Sequence, residues 1–472
     1  MPYIELGEGV HRGQPHFLEE FDATTAGCSL RAGWKLSESE LVVRADRLGF
    51  IPIYYWTDAR RIVVASSLLE IARRLPKRRF DDEAVSTFLS LGYYLGNSTI
   101  LEGVRILMPG EILRWNGRLS REAQPYPTPR PFQGTRADAI REFQSRFANA
   151  IAIRAPLGVG HLPLSGGRDS RHILLELVGQ GYSPPRVITL WSAETTDAEA
   201  ARCVAEHVGV PCDVVPWRGR LASEYEKNRL NQYSSDENGW YLSIMPYLKG
   251  TVFDGLAGDA LANGSYFNEV TARYLQDGRL EDAARRYLRG MEYRSYLKPW
   301  LRERWHPDMA RKALEREFAH HVGVADPCKS FLFWNKVRRE IAFLPIAMAG
   351  KENPVCLPYQ DVDLHEFLLS LPFESFGPPG FHDQVLAASY PDAKHLSFSK
   401  KENKGGRRRA FLWHSRRVAR MAKPLFNPFT QWQRISAYAI ESVLSGGVRP
   451  LEAPFTKVMP LMQAFEELDL EI

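Results

Sequence analysis

The sequence predicts an α/β protein in two unequal parts: a β-rich N-terminal part, then a larger part built on a parallel sheet with helices on both faces. Three observations predict it. Short β-branched and aromatic runs punctuated by Gly, Asp and Asn fill residues 1–125. The stretch QPYPTPRPFQGT at 124–135, with four prolines from Pro125 to Pro131, then interrupts the chain as a linker. Beyond it, helical and strand-like runs alternate at the spacing of strand, crossover helix and strand. A chain of 472 residues also exceeds one ordinary core, so two domains with a tail are expected, at 1–125, 136–425 and 426–472.

Element by element, ELVVRADRLG (40–49), IPIYYWT (51–57), RRIVVASS (60–67) and GEILRWNGRL (110–119) read as strands. Between them DDEAVSTFLSLGYYL (81–95) has helical spacing and an acidic start. After the linker come a helix at 136–152, the strand GHLPLS, a helix to Gly179 and the strand RVITLWS. The helix TDAEAARCVAEHVG and the strand CDVVPW complete the alternation. Residues past 265 read as mainly helical, and from about 425 the tail offers no motif.

Composition narrows the function. With 44% apolar and 25% charged residues, no apolar run of 18 and no basic-then-apolar leader, the chain is expected to be cytoplasmic and without a membrane span. Five scattered cysteines, at 28, 203, 212, 328 and 356, form no C-x-x-C pair, which argues against a disulfide scaffold, structural zinc or thiolate sulfur chemistry. A net charge of +5 is too small to imply a nucleic-acid partner. Local basic clusters lie at RRLPKRRF (73–80) and KKENKGGRRR (400–409).

The stretch HLPLSGGRDSRHILLEL (161–177) carries the chemistry. It puts Ser165, Gly166, Gly167, Arg168, Asp169 and Ser170 at the carboxyl end of a strand of a parallel sheet, where ligands bind, with a helix beginning at once. Two glycines let backbone amides approach an anion, the helix start points free N–H groups at the same place, and two serines add donors. Asp169 suits a phosphate only across a divalent cation, which points to Mg-nucleotide. Gly-Gly as a plain turn is the competing reading; the strand-turn-helix context and the full hexapeptide outweigh it.

SGGRDS resembles the SGGxDS pyrophosphate loop of the ATP pyrophosphatases, and four further stretches resemble the asparagine synthetase branch of that group. VITLWSAETTDAEAARCVAEHVGVPCDVV is similar to its second strand and helix, which places Leu190 on the adenine side. FDGLAGDALANGS (253–265) resembles its GxGxDE loop, with Gly255, Gly258 and Asp259 in the loop and Ala260 where a glutamate is usual. LPYQDVDLHEFLLSLP (357–372) resembles a core segment of the synthetase. DRLGFIPIYYWTDARRIVVASSLLEIA and GVRILMPGEILRW are similar to its N-terminal amidotransferase domain.

The resemblance implies an Ntn-amidotransferase-like domain followed by an adenine-nucleotide α-hydrolase-like domain. It implies ATP and Mg2+ as cofactors, with Ser165, Gly166, Gly167, Asp169 and Ser170 on the phosphates and Asp169 and Asp259 on the metal. The glutaminase cysteine expected after the initiator is Pro2 here, and the first cysteine is Cys28, so the N-terminal domain is expected to be an inactive scaffold. Relatives with that loss, the β-lactam and carbapenam synthetases and the lasso-peptide cyclases, close rings with an amine already in the substrate. Three catalytic residues follow from the resemblance: Glu352 as base, with a solvent-exposed glutamate as the competing reading, and Lys404, then Lys401, as the cation beside the α-phosphate.

The expected function is therefore an AMP- and pyrophosphate-forming amide ligase that adenylates a carboxylate and transfers it to an amine. Its partners would be small-molecule or peptide acids and amines, with a possible biosynthetic partner protein. The alternatives are an ammonia-dependent amidating enzyme without glutaminase activity, and an inactive nucleotide-binding scaffold. His161 and His172 flank the loop without a readable nucleophile arrangement and are expected to be structural.

Overall fold

The computed structural model describes residues 1–7, 9–22, 29–122, 126–191, 195–217, 221–237, 239–263, 269–288, 294–373, 380–400, 429–444 and 449–471, with 419 and 422. Among the described residues the N-terminal part has ten strands: β1 (Tyr3–Gly7), β2 (Val10–Gly13), β3 (His16–Phe21), β4 (Leu30–Leu36), β5 (Leu41–Arg44), β6 (Tyr54–Thr57), β7 (Arg61–Ala65), β8 (Arg105–Ile106), β9 (Ile112–Trp115) and β10 (Leu119–Glu122). They form two five-stranded antiparallel sheets, ordered β2-β1-β7-β6-β8 and β10-β9-β5-β4-β3. Ile4, Ile62 and Val64 of the first share a core with Trp34, Val43 and Leu113 of the second, so the two sheets bury one face each against the other. Helix α1 (Asp82–Leu91) starts where Asp81 accepts the N–H of Ala84, and ends at Gly92 in the left-handed region.

The second part carries the parallel strands. β11 (Leu162–Pro163), β12 (Val187–Trp191) and β13 (Cys212–Pro216) pair in that order, with Leu162 opposite Val187 and Leu190 opposite Val215. β14 (Val252–Phe253) and β15 (Val355–Cys356) form a second parallel pair. That pair lies along the free edge of β11: Gly160 N–H donates to Thr251 and His161 N–H to Lys249, both at 2.8 Å. Gly160 is required there, because a Cβ would stand 2.2 Å from the Lys249 carbonyl oxygen. From β11 the chain runs outward one way to β12 and β13, then returns on the other side to β14, which makes the gap between β11 and β14 a topological switch point. Around the sheet lie α2 (Arg136–Ala152), held at its start by a Thr135–Asp138 capping box, α3 (Asp169–Gly179), α4 (Asp197–His207) and α5 (Phe381–Ser389).

The two parts are joined by buried polar bonds as well as apolar packing. Arg154 is fully buried and donates to both oxygens of Asp22, at 2.8 Å from Nη2, and to Asp361 at 3.1 Å. The π-helical segment Leu332–Ile341 reaches back to the N-terminal part through Asn335, which accepts the Gly96 N–H at 2.9 Å, and Arg339, which donates to Ser98 at 2.8 Å. The proline stretch is anchored: Tyr126 donates to Glu317 at 2.6 Å and stacks on Trp334.

The tail is structured where the sequence offered no motif. Helix α6 (Arg449–Leu468) places Val458, Met459 and Leu461 in one core with Phe80, Val85 and Leu101 of the N-terminal part. Pro450, Pro454 and Pro460 within it mask its helical signal. Among the described residues no helix is long and apolar enough to cross a membrane.

Candidate functional site

The glycine turn sits at the switch point. β11 is short because Ser165, Gly166 and Gly167 turn the chain into α3, whose start has no side-chain cap. The positive end of the helix therefore faces the loop. Within the loop, Ser165 N–H donates to Ser170 Oγ at 3.0 Å, Gly167 N–H donates to Ser165 Oγ at 3.2 Å, and Gly166 N–H donates to Asp197 Oδ1 at 3.2 Å. Gly166 admits no side chain: a Cβ would lie 2.6 Å from that of Ser399 and 2.9 Å from Asp197 Oδ1.

The loop after β14 closes on the same point. Added Cβ atoms at Gly255 and Gly258 would stand 2.9 Å from Asp169 Cβ and 2.6 Å from Asp169 Cγ. The glycines of FDGLAGDA are thus what let this loop lie against the first turn of α3, and Ala257 between them takes φ 69°. The approach brings Asp169, Asp254 and Asp259 together. Burial holds the Asp169 carboxyl well above the usual carboxylate range, and the charges of Asp259 and Asp254 push it further. Burial also raises Asp259, and raises Asp254 to about 6 against a hydrogen bond from Tyr241 at 3.1 Å.

A cavity of about 510 Å3 opens over this cluster. Ser165, Asp169, Ser170, Leu190, Gly255 and Asp259, all expected from sequence, line it. Gly166, Gly167 and Gly258 do not line it but make the close approaches that shape it. Sequence reasoning missed Asp197, Glu237, Asp254 and the aromatic wall of Trp217, Trp240 and Tyr241. Asp254 stood inside a quoted motif, next to Gly255, and Asp197 at the head of α4, so both had a positional signal. The aromatic wall comes from 217–241, a stretch with no motif at all.

Glu352 is exposed, just past the turn Ala349–Lys351, and does not line the cavity, so the structure gives the expected base no place in this site. It lies just ahead of β15 and faces solvent. Lys401 and Lys404 lie outside the described residues. The chain leading to them is held on the cradle: Ser399 N–H donates to Gly166 at 2.9 Å, and Lys400 and Thr196 bond each other at 2.9 and 3.1 Å.

The cavity lining holds five carboxylates, Asp169, Asp197, Glu237, Asp254 and Asp259, and no Lys, Arg or His among the described residues. Such a surface repels a bare polyphosphate and favours one that arrives with cations. No group of three or more His, Cys, Asp or Glu among the described residues is arranged to hold a metal by protein ligands alone. A cation shared between one or two of these carboxylates and a phosphate would fit such a lining, as Mg2+ is commonly held.

Residues 24–126 match the family model of a glutamine amidotransferase domain. Among solved structures the chain is similar to the glutamine phosphoribosylpyrophosphate amidotransferase from B. subtilis, complexed with ADP and GMP, at 12% identity and a TM-score of 0.14. The match covers 41% of this chain and 49% of that one, so the chain spans about half the length of that structure. No curated protein matches. The N-terminal part of the chain is amidotransferase-like, and its match to a glutamine amidotransferase domain runs over residues 24–126.

Proposed function

We propose that the chain is an ATP-dependent, AMP-forming carbon-nitrogen ligase that activates a carboxylate and passes it to an amine. The observation that carries this reading is the meeting of two loops at the switch point. The turn at Ser165–Ser170 supplies N–H and hydroxyl donors at a helix start, and the loop at Gly255–Asp259 supplies a second buried carboxylate beside Asp169. In this reading the turn holds the β- and γ-phosphates, Leu190 borders the base, and Asp169 and Asp259 hold Mg2+. The cation, when bound, offsets charge on the phosphates as pyrophosphate leaves.

The chain's own residues do the rest. Asp197 occupies the Gly166 N–H and must yield it to a phosphate oxygen, while Ser165 and Ser170 exchange their mutual bond for bonds to the ligand. Orientation of acid and nucleotide in one cavity makes the attack effectively unimolecular. Lys401 and Lys404 follow directly on the segment pinned at Gly166 and Thr196, which supports one of them as the cation beside the α-phosphate.

The experiment is incubation with Mg-ATP and a panel of carboxylic acids. Pyrophosphate and AMP are the expected products, and Asp169→Ala and Asp259→Ala should each abolish their release while the protein stays folded. A full rate in either variant removes that residue from the metal site. A second reading, amidation with ammonia, is favoured by the amidotransferase match at 24–126. It gains one nitrogen in the product, where ring closure only loses water, so mass analysis with and without ammonium salt separates the two.

A further inference from the structure

Behind the cavity, Asp169 has a neighbour that the ligase reading does not use. Asp169 Oδ1 and His382 Nδ1 are both shut off from solvent and both lack a hydrogen-bond partner among the described residues, yet they face each other at 3.5 Å. Two orphaned buried polar atoms at that distance are each other's natural partners, since a buried polar atom left without a hydrogen bond keeps its full desolvation penalty. Catalytic hydrogen bonds in ligand-free sites are often long and shorten when the site is filled.

The far side of the His382 ring is fixed. Its Nε2 lies 3.1 Å from His172 Nδ1, and the Tyr359 hydroxyl lies 3.4 Å from each of those nitrogens. His172 stacks on Phe147 at 3.7 Å and Phe143 packs on both imidazoles, so the pair sits among apolar rings. With His382 Nε2 accepting a hydrogen bond from His172 Nδ1–H or from the Tyr359 hydroxyl, the ring's own N–H falls on Nδ1, aimed at Asp169. The next residue pins the same helix, because Asp383 takes a two-pronged bond from Arg168, with Arg168 Nη2 at 2.9 Å.

We propose that His382 is the positioning residue for Asp169: its Nδ1–H donates to Oδ1, fixes the plane of the carboxylate and leaves the second oxygen for the cavity. This rests on the reading of Asp169 as a metal ligand. Supporting partners of this kind orient a ligand without touching the metal, and their loss weakens metal affinity rather than the fold. His172 and Tyr359 hold the ring that does the orienting. This also accounts for α5 being clamped to the first turn of α3 by two side chains in succession.

The test uses two substitutions that split the ring's nitrogens. The amide nitrogen of Asn can stand where Nδ1 stands, and that of Gln where Nε2 stands. Mn2+ is titrated into the full-length protein with α,β-methylene-ATP and followed by electron paramagnetic resonance, with thermal unfolding measured alongside. His382→Gln is expected to weaken Mn2+ binding by about 10-fold or more, and His382→Asn to keep most of the affinity, at similar melting temperatures. Equal weakening in both variants, or none in His382→Gln, overturns the positioning role. A wild-type protein that binds no more Mn2+ than Asp169→Asn overturns the metal reading of Asp169 and this inference with it, a result distinct from failure of His382 alone.

Discussion

Asp254 is a buried carboxyl in the cavity wall whose charge costs stability. Its folded pKa, about 6, lies above the ordinary carboxylate value, because burial beside Tyr241 disfavours the charge. A carboxyl raised on folding stabilises most while protonated in both states, and that contribution is lost as pH rises from about 4 through about 6. Asp254→Asn is therefore expected to raise the melting temperature at pH 7.5 and to leave it nearly unchanged at pH 4, as differential scanning calorimetry would read. Glu317 has the opposite sign. Burial alone would raise it, but bonds from His321, Tyr126 and Asn335 outweigh burial and hold it at about 2. Its contribution is present above about 4.5 and is lost as pH falls toward 2, so Glu317→Gln should flatten the acid limb of the stability curve. Arg154 illustrates a third case: fully buried between Asp22 and Asp361, it leaves two buried carboxylates uncompensated when removed. Arg154→Ala should cost about 3–5 kcal/mol in denaturant unfolding.

At the scale of elements, the site depends on the two loops meeting, and glycine decides whether they can. Gly258→Ala puts a Cβ into Asp169 Cγ. It should cost about 1–3 kcal/mol of stability and lower nucleotide-dependent turnover further than that loss of fold explains, as kinetics at a temperature well below unfolding would separate. The strand-turn-helix at 161–177 and the alternation of β11, α3, β12, α4 and β13 were legible in the sequence, since periodicity, Gly-Gly and flanking apolar runs are local signals. The strands at 41–44, 54–57, 61–65 and 112–115 were legible for the same reason. What stayed hidden is non-local. β14 and β15 are two residues each and lie about a hundred positions apart, and no local pattern says that they pair across the β11 edge. Helix α6 was hidden by its own prolines, and Glu352 rested on family resemblance alone, with no local signal in its own stretch to support it.

Across the whole molecule, the N-terminal sandwich and the parallel sheet share one core rather than touching at a seam. Trp34 and Leu113 belong to the same buried cluster as Phe143, Ile173 and Val187, and a second cluster joins Phe80 and Val85 to Met459 and Leu461. The proline stretch, read as a linker from composition, is bonded through Tyr126 and, at Phe132, to Ser370. The amidotransferase-like part is thus a structural support for the cavity, since the π-helical segment that borders it at Ile341 is held by Gly96 and Ser98. Removing residues 449–472 should expose that second cluster and abolish folding as a single cooperative unit. Calorimetry of the full chain should give one transition rather than two.

On the function we propose, the cavity at the switch point cleaves ATP between its α and β phosphates to activate a carboxylate. The most direct measurement is 31P NMR of Mg-ATP incubated with the protein and a panel of carboxylic and amino acids. AMP and pyrophosphate signals should grow with at least one acid, and that growth should be lost in Asp169→Ala and Asp259→Ala. Growth of ADP, or equal consumption of ATP by the two variants, would contradict it.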